Sequence, residues 1–129
     1  MAFHTAAFIT ALTDRVNTIL PTFYEEAPTG EQRSGYPFAV INGLNITDLD
    51  TGDLGYFYID VWVDEKKPNA TEELEGLCDT LRNELTNEVI SVSGVFGSHI
   101  GFENQNSIHD NEYDLAHRRL SMSARIFYN

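Results

Sequence analysis

Residues 55–77, which read GYFYIDVWVDEKKPNATEELEGL, restrict the possible folds more than any other part of the chain. The first ten residues predict a β-strand with apolar or aromatic side chains on both of its faces, because successive side chains point to opposite sides. Tyr56, Tyr58 and Trp62 share one face, and the other face consists of Phe57, Ile59, Val61 and Val63. A strand needs only one apolar face to join a core, so what the second face contacts stays open: the chain itself, another copy, or solvent, which tyrosines tolerate.

The residues after this strand predict a helix. Asn69 follows Pro68 and precedes Glu72 by three positions, which is the pattern of a capping box. Acidic residues in the first turns suit the helix dipole. The predicted buried stripe consists of Leu74, Leu77, Cys78, Leu81 and Leu85. On that stripe Cys78 is interpreted as a small core residue, since the sequence places no base beside it.

The rest of the chain predicts one further helix and three further strands. The helix spans residues 2–24, with Pro21 expected to end or kink it. The strands are predicted at 37–44, 99–105 and 115–128, with polar connections at 45–53 and 104–114 and short apolar pieces in 86–98. These elements do not alternate regularly, which indicates an α+β fold with a mainly antiparallel sheet, an extended β-hairpin and both helices on one face.

Length and charge narrow the function. A chain of 129 residues with 42% hydrophobic content is expected to form a single domain, residues 1–129. The net charge of −12 argues against binding to nucleic acid through phosphate contacts, and against anionic membrane surfaces. With one cysteine no internal disulfide is possible, and no signal peptide or membrane span is evident, so the expectation is a soluble protein made inside the cell.

Catalytic and metal-binding motifs are not apparent. His99 and His109, with Glu103, Asp110 and Glu112 nearby, could be drawn as metal ligands, but their spacing matches no HExxH or CxxC arrangement. Asp60 and Asp64 could be drawn as a carboxylate pair, although any strand that faces water shows such pairs. We therefore expect no enzyme and no cofactor, and keep as an alternative a small metal- or ligand-binding α+β domain near His99, Glu103 and His109.

Charges are distributed unevenly along the chain. Residues 48–64 contain five aspartates and no base, whereas the predicted last strand contains Arg118, Arg119 and Arg125 and no acid. A monomer can pair these charges internally, and a head-to-tail oligomer can pair a basic edge of one copy with an acidic edge of the next. The same two interpretations apply to the predicted strand with apolar or aromatic side chains on both faces: its second face is covered either within the chain or by a neighbouring copy.

The order of elements and several short motifs resemble the tail-terminator (tail-completion) proteins of long-tailed bacteriophages, the lambda-type minor tail proteins. The motifs are Tyr36–Pro37 at the opening of the first strand, Trp62 near the end of the second, and His117-Arg118-Arg119 at the start of the last. Together with the helix segment LEGLCDTLRNEL, the resemblance covers nearly the whole chain.

The resemblance implies a non-enzymatic ring, usually a hexamer, in the virion. Such a ring caps the completed tail tube, joins the tail to the connector of the head, and leaves a channel through which DNA passes without specific binding. Its partners are further copies of itself, the tail tube protein and a head-completion protein. Such a protein is made in the host cytoplasm and is located in the virion at the head-proximal end of the tail.

The same resemblance suggests roles for nine residues. Asp48, Asp50 and Asp53 would face the channel or the tube, Arg118, Arg119 and Arg125 would pair with acids of a neighbouring copy, and Tyr56, Tyr58 and Trp62 would cover the outer sheet face. A head-completion or neck ring of the same particle is the alternative structural role.

Overall fold

The computed structural model describes residues 3–26, 37–64, 66, 68–110 and 115–128. Two helices and six strands occur in these ranges: α1 (Thr5–Asn17), β1 (Thr22–Tyr24), β2 (Phe38–Asp48), β3 (Asp53–Asp64), α2 (Ala70–Leu85), β4 (Val89–Val92), β5 (Phe96–Asp110) and β6 (Leu115–Tyr128). They form a curled sheet in the order β1-β2-β3-β6-β5-β4. Every pairing is antiparallel except that of β1 with β2. The predicted α+β class is confirmed.

Both helices pack on one face of this sheet. Phe8 of α1 makes edge contacts with Phe57 of β3 and Phe96 of β5, at ring-centroid distances of 6.4 and 5.9 Å. From α2, Leu74, Cys78, Leu81 and Leu85 enter the same buried cluster. The alternation predicted for β3 and β6 therefore supplies one complete apolar layer of the core.

The β2–β3 hairpin is longer than the sequence indicated. Residues 45–48 continue β2 rather than forming a polar connection, and the loop narrows to a tight turn in which the Leu49 N–H donates to the Gly52 carbonyl at 2.9 Å. A bulge at Gly43 and Leu44 shifts the register between Asn42 and Asn45. Gly43 adopts a φ of 68°, which glycine tolerates without strain. The extra residue keeps Leu44 and Ile46 against the core.

The β5–β6 hairpin is also longer than expected, because β5 runs from Phe96 to Asp110. Residues 104–110 were predicted to be a polar connection, but they pair with β6 through to Asp110 and Leu115. Polar side chains are compatible with a strand when one face of the sheet is not part of the core. The remainder of that predicted connection, residues 111–114, lies outside the described residues.

The first helix is shorter than predicted. It ends at Asn17, and the chain then turns so that β1 pairs in parallel with β2 at Thr22–Tyr24. Pro21 lies at the turn, where its carbonyl accepts a hydrogen bond from the Ala39 N–H at 2.8 Å. The predicted helix breaker thus marks the entry to an edge strand.

The second helix begins at Ala70 but without the predicted capping box. Asn69 is left-handed, with a φ of 61°, and makes no side-chain capping bond. Only its carbonyl takes part, accepting from the Glu73 N–H at 3.0 Å. In this conformation Asn69 acts as a turn residue, a role that asparagine fills more readily than most residues.

Candidate interaction surface

The side of the sheet opposite the helices, here called the outer face, carries the second set of β3 side chains. Tyr56, Tyr58, Asp60 and Trp62 lie on it, opposite Ser123, Ser121, Arg119 and His117 of β6. The outer face therefore combines aromatic and hydroxyl side chains with one pair of opposite charges, Asp60 opposite Arg119.

One end of the outer face is closed by the chain's own side chains. The Trp62 ring stacks between Phe38 and His117, at centroid distances of 5.0 and 4.2 Å and interplanar angles of 19° and 25°. Phe38 is buried although it lies on the outer face, and Phe23 of β1 contacts it edge-on. Trp62 is thus covered mainly from within the chain.

Next to this stack lies a buried carboxylate. Asp60 is only 2% exposed. Its Oδ1 accepts from His117 Nε2 at 2.8 Å and from Arg119 Nε at 2.9 Å, and its Oδ2 accepts from Asn42 Nδ2 at 2.6 Å and Arg119 Nη2 at 3.2 Å. Three side chains from two neighbouring strands thus satisfy one carboxylate, as a buried charge requires.

The protonation of Asp60 reflects two opposing effects. Burial raises the pKa of this carboxyl, but the hydrogen bonds from His117, Arg119 and Asn42 lower it more, so the pKa lies below the ordinary aspartate value. The same hydrogen bond raises the pKa of Arg119. Asp60 and Arg119 therefore form a charged pair, and the arginine also lies over the Tyr58 ring at 4.4 Å.

The other end of the outer face is open. Tyr56 is 45% exposed and Tyr58 36% exposed. Together with Asn45, Glu103 and Asn104 they line a shallow depression of about 400 Å³. A Cβ at Gly43 would lie 2.6 Å from Tyr58 Cδ2, so the Tyr58 ring needs glycine at that position. Exposed tyrosines with amide neighbours are typical of protein-binding surfaces.

The three arginines of β6 have different surroundings. Arg119 pairs with Asp60, and Arg118, which lies on the helix side, pairs with Glu75 of α2 at 2.6 Å. Both arginines thus have an acidic partner within the chain. Arg125 is exposed and lies 5.8 Å from the Phe127 ring centroid. Pairing of any of the three with a neighbouring copy stays a prediction.

The aspartates near the hairpin turn also separate into two groups. Asp48 and Asp50 are exposed, and the Asp50 N–H donates to Asp48 Oδ1 at 2.8 Å. Asp53 is 4% exposed and accepts from the Tyr128 hydroxyl at 2.7 Å. Only Asp48 and Asp50 are therefore available to another molecule, and the surface role predicted for Asp53 does not fit its burial.

The part of the chain that the structure describes contains no group of three or more His, Cys, Asp or Glu side chains able to hold a metal. The side chains of His109 and Asp110 and the whole of Glu112 lie outside that part. Cys78 is buried, and burial is the main cause that raises its thiol pKa to about 12. Within the described ranges no helix is both long and apolar enough to cross a membrane.

Sequence reasoning did not find the Asp60 cluster. Asp60 was interpreted as a solvent-facing strand carboxylate, and His117 was noted only as part of a motif. One signal was present: Asp60 interrupts a run of apolar and aromatic residues, and Arg119 alternates with His117 on a predicted strand. Without the β3–β6 register, however, the sequence does not show that Asp60, His117 and Arg119 lie next to one another.

No protein-family model matches the chain, and the search of curated proteins gives no match. Among solved structures, the chain is similar to one in "Virion of native gene transfer agent (GTA) particle". The TM-score is 0.67 at 15% sequence identity, over 94% of this chain and 98% of the other. At this identity the similarity shows that the two chains share a fold, over nearly the whole length of both.

Proposed function

We propose that this protein is a structural component of a virion of the phage type. The observation that carries the proposal is the fold shared, almost end to end, with a chain of a gene transfer agent virion. The match covers 94% of this chain and 98% of the other, so the shared fold accounts for nearly the whole of both chains. Fold by itself does not define function, so the proposal requires a direct test.

Within the virion, we propose the role of tail terminator: a homohexameric ring that caps the completed tail tube and joins it to the head connector. The motif resemblance supports this finer assignment. In such a ring one surface meets the last ring of tube protein and another meets a head-completion protein. The net charge of −12 per copy suits a channel wall that repels DNA and lets it slide through.

The outer face and the hairpin turn supply surfaces for these contacts. Tyr56 and Tyr58 are exposed, whereas Asp60 is already neutralised by Arg119 within the chain. A surface with aromatic area and balanced charge can associate with another acidic copy at little electrostatic cost. Asp48 and Asp50, at the exposed end of the hairpin, remain the candidates for contact with another molecule, either a neighbouring copy, the tube or the channel.

The proposed activity is physical rather than enzymatic, without a cofactor. Six copies multiply weak contacts, so that no single patch must be large. A domain that binds a metal near His99, Glu103 and His109 is the alternative from another class. Elemental analysis of freshly purified protein distinguishes the two, since stoichiometric zinc or iron would favour the metal-binding domain.

Co-assembly tests the structural role. Purified protein is mixed separately with tail tubes and with portal-bearing heads from the same particle, and binding is followed by sedimentation and negative-stain microscopy. A tail terminator binds the tube ends and stops their further growth. Binding to heads alone would instead assign the chain to a head-completion or neck ring. Binding to neither would contradict both roles.

A further inference from the structure

The two edges of the sheet are covered unequally, and the uncovered parts lie at opposite ends. At one edge β1 pairs with β2 only at Ala39–Ile41, so β2 extends beyond it to Asp48. At the other edge β4 pairs with β5 only at Phe96–His99. No other strand of the described ranges pairs along the free parts of β2 and β5. Each edge therefore has a step one strand deep.

The register shows how the two steps are related. Asp48 pairs with Asp53, Asp53 with Ile126, Ile126 with Ser98, and Ser98 with Ile90. Asp48 and Ile90 thus lie on the same row across the sheet. The strand that projects at one edge, β4, is level with the recess beside β2 at the other edge.

The opposite end of the sheet repeats this relation. Phe23 of β1 is level, through Val40, Asp60 and Arg119, with Asn106 in the uncovered part of β5. A second copy displaced sideways, with no shift along the strands, would place each projecting strand in a recess of its neighbour. A contact without an axial shift can close into a ring.

At the step formed by β4 and the end of β2, here called the upper step, the strand register shows which backbone groups of the described residues point away from the sheet. The Ile100 N–H donates to the Glu88 carbonyl, so by strand alternation Ile90 and Val92 face β5 while Val89 and Ser91 point outward. The turn bond from Leu49 to Gly52 fixes the other edge: Thr47 faces β3, and Ile46 and Asp48 point outward. If β2 of one copy and β4 of another pair in parallel with Asp48 opposite Ile90, the outward groups of the two strands alternate along the contact. Each outward residue of one strand can then hydrogen-bond to two residues of the other.

A groove lies beneath β4 on the helix side. Two adjoining depressions of about 390 and 400 Å³ run between α1 and β4 and share Ala11 and Asp14 in their walls. Ala6 and Ala7 line the first depression, and Arg15 and Val89 the second. Small side chains on α1 leave room under the edge for the side chains of an added strand.

We propose that β2 of a second copy of this chain adds to β4 in parallel, with residues 46–48 of that copy beside residues 88–90. Ile46 is only partly buried against its own core on the helix side, and its exposed part then contacts the groove beside Ala11 of the neighbour. Neighbouring sheets become continuous, and repetition of this contact builds the wall of the ring. The proposal rests on the ring function and names the surfaces that form it.

The lower step is the other one, where β1 of one copy would lie beside the uncovered part of β5 of its neighbour. There the structure favours side-chain packing over a full set of hydrogen bonds between strands. The outward Thr22 N–H already donates to Asn17 Oδ1 at 2.9 Å, and the Tyr24 carbonyl accepts from the Glu26 N–H at 2.8 Å. These local bonds blunt the β1 edge. The hydrogen-bonded part of the contact is therefore the β2–β4 pair.

Cysteine crosslinking tests this contact. Thr47 and Val89 lie on one row through Leu54, Arg125 and His99, and both are exposed. Within one chain they are four strand spacings apart, roughly 19 Å, which is too far for a disulfide. Equal amounts of Thr47→Cys and Val89→Cys protein are mixed and oxidised. Native Cys78 is buried and should not interfere.

We expect the mixture to give a disulfide-linked dimer several-fold more abundantly than either variant alone. Thr80→Cys, which places an exposed thiol on α2, replaces Thr47→Cys in the control mixture and should give only background dimer. Mixed dimers no more abundant than in the control would overturn the proposed contact. The ring function is tested separately on the wild-type protein, by light scattering in solution and by microscopy of tail-tube ends. Rings that form without this crosslink would refute only the proposed contact, and not the ring function.

Discussion

Replacing Asp60 with alanine should destabilise the fold substantially, because it removes the acceptor that three side chains share. His117 and Arg119 would lose their carboxylate partner, and Asn42 would lose its acceptor at Oδ2. His117 is buried, so water cannot easily replace the lost partner there. The effect should extend to the Trp62 stack, in which the His117 ring forms one side.

The expected magnitude follows from burial. Removing one member of a buried ion pair costs about 3–5 kcal/mol. The Arg119 side chain is 35% exposed and can be partly rehydrated, which favours the lower end, about 3 kcal/mol. At about 2.1 cal/mol/K per residue, the unfolding entropy of a chain of this length is roughly 0.27 kcal/mol/K, so the melting temperature should fall by about 11 °C.

Urea denaturation followed by Trp62 fluorescence, together with calorimetry, measures this loss. Asp79→Ala is the matched control, because Asp79 is an exposed acid on α2 and its removal should change stability by no more than about 0.5 kcal/mol. If Asp60→Ala were within 1 kcal/mol of wild type, the buried cluster would not hold in solution and the reasoning would fail.

Three further predictions concern the same surface and the core. The pKa of Asp60 is lowered on folding, so its contribution to stability is present above the ordinary aspartate value of about 3.9 and is lost as the pH falls from there through the lower folded-state pKa. In urea titrations the stability difference between wild type and Asp60→Asn should therefore narrow as the pH falls below about 4, and a constant difference would contradict this. Gly43→Ala should destabilise the fold by about 1–3 kcal/mol, because residue 43 has a left-handed φ and an added Cβ would contact Tyr58. Gly76→Ala, in open space on α2, should instead stabilise the fold by up to about 1 kcal/mol. Equal melting temperatures for the two variants would argue against the bulge. Cys78, buried with a pKa raised to about 12, should react with a thiol reagent only after unfolding; rapid labelling of the native protein would show that the α2–sheet contact opens.

The elements with strong periodicity were predictable from the sequence. The alternation in β3 and β6 and the stripe on α2 each reflect burial on one face, and this local pattern survives folding unchanged. The prediction that both helices share one face came from the irregular order of helices and strands, which is typical of an α+β fold, and not from the stripes themselves.

The polar parts of the hairpins were not predictable in the same way. Residues 45–48 and 104–110 form strands because they pair with long neighbours, and pairing of this kind depends on contacts distant in sequence. The cap at Asn69 failed for a related reason: the turn before α2 places that residue in a left-handed conformation, which a motif of residue types does not reveal.

The candidate surface was predicted in part. The sequence placed Tyr56, Tyr58 and Trp62 together, and the structure shows that Trp62 is largely covered by Phe38 and His117 while the tyrosines stay open. The partners of Arg119 and Arg118 required the strand register and the position of α2, neither of which charge patterning supplies.

We propose that this chain forms a ring at the head-proximal end of a phage-type tail. Cryo-electron microscopy of intact particles, with the chain fitted into the density, tests it most directly. We predict a single sixfold ring of this fold between the last layer of tube protein and the head connector. Finding the chain outside the tail-to-head junction, in another arrangement, or missing from the particle would contradict the account.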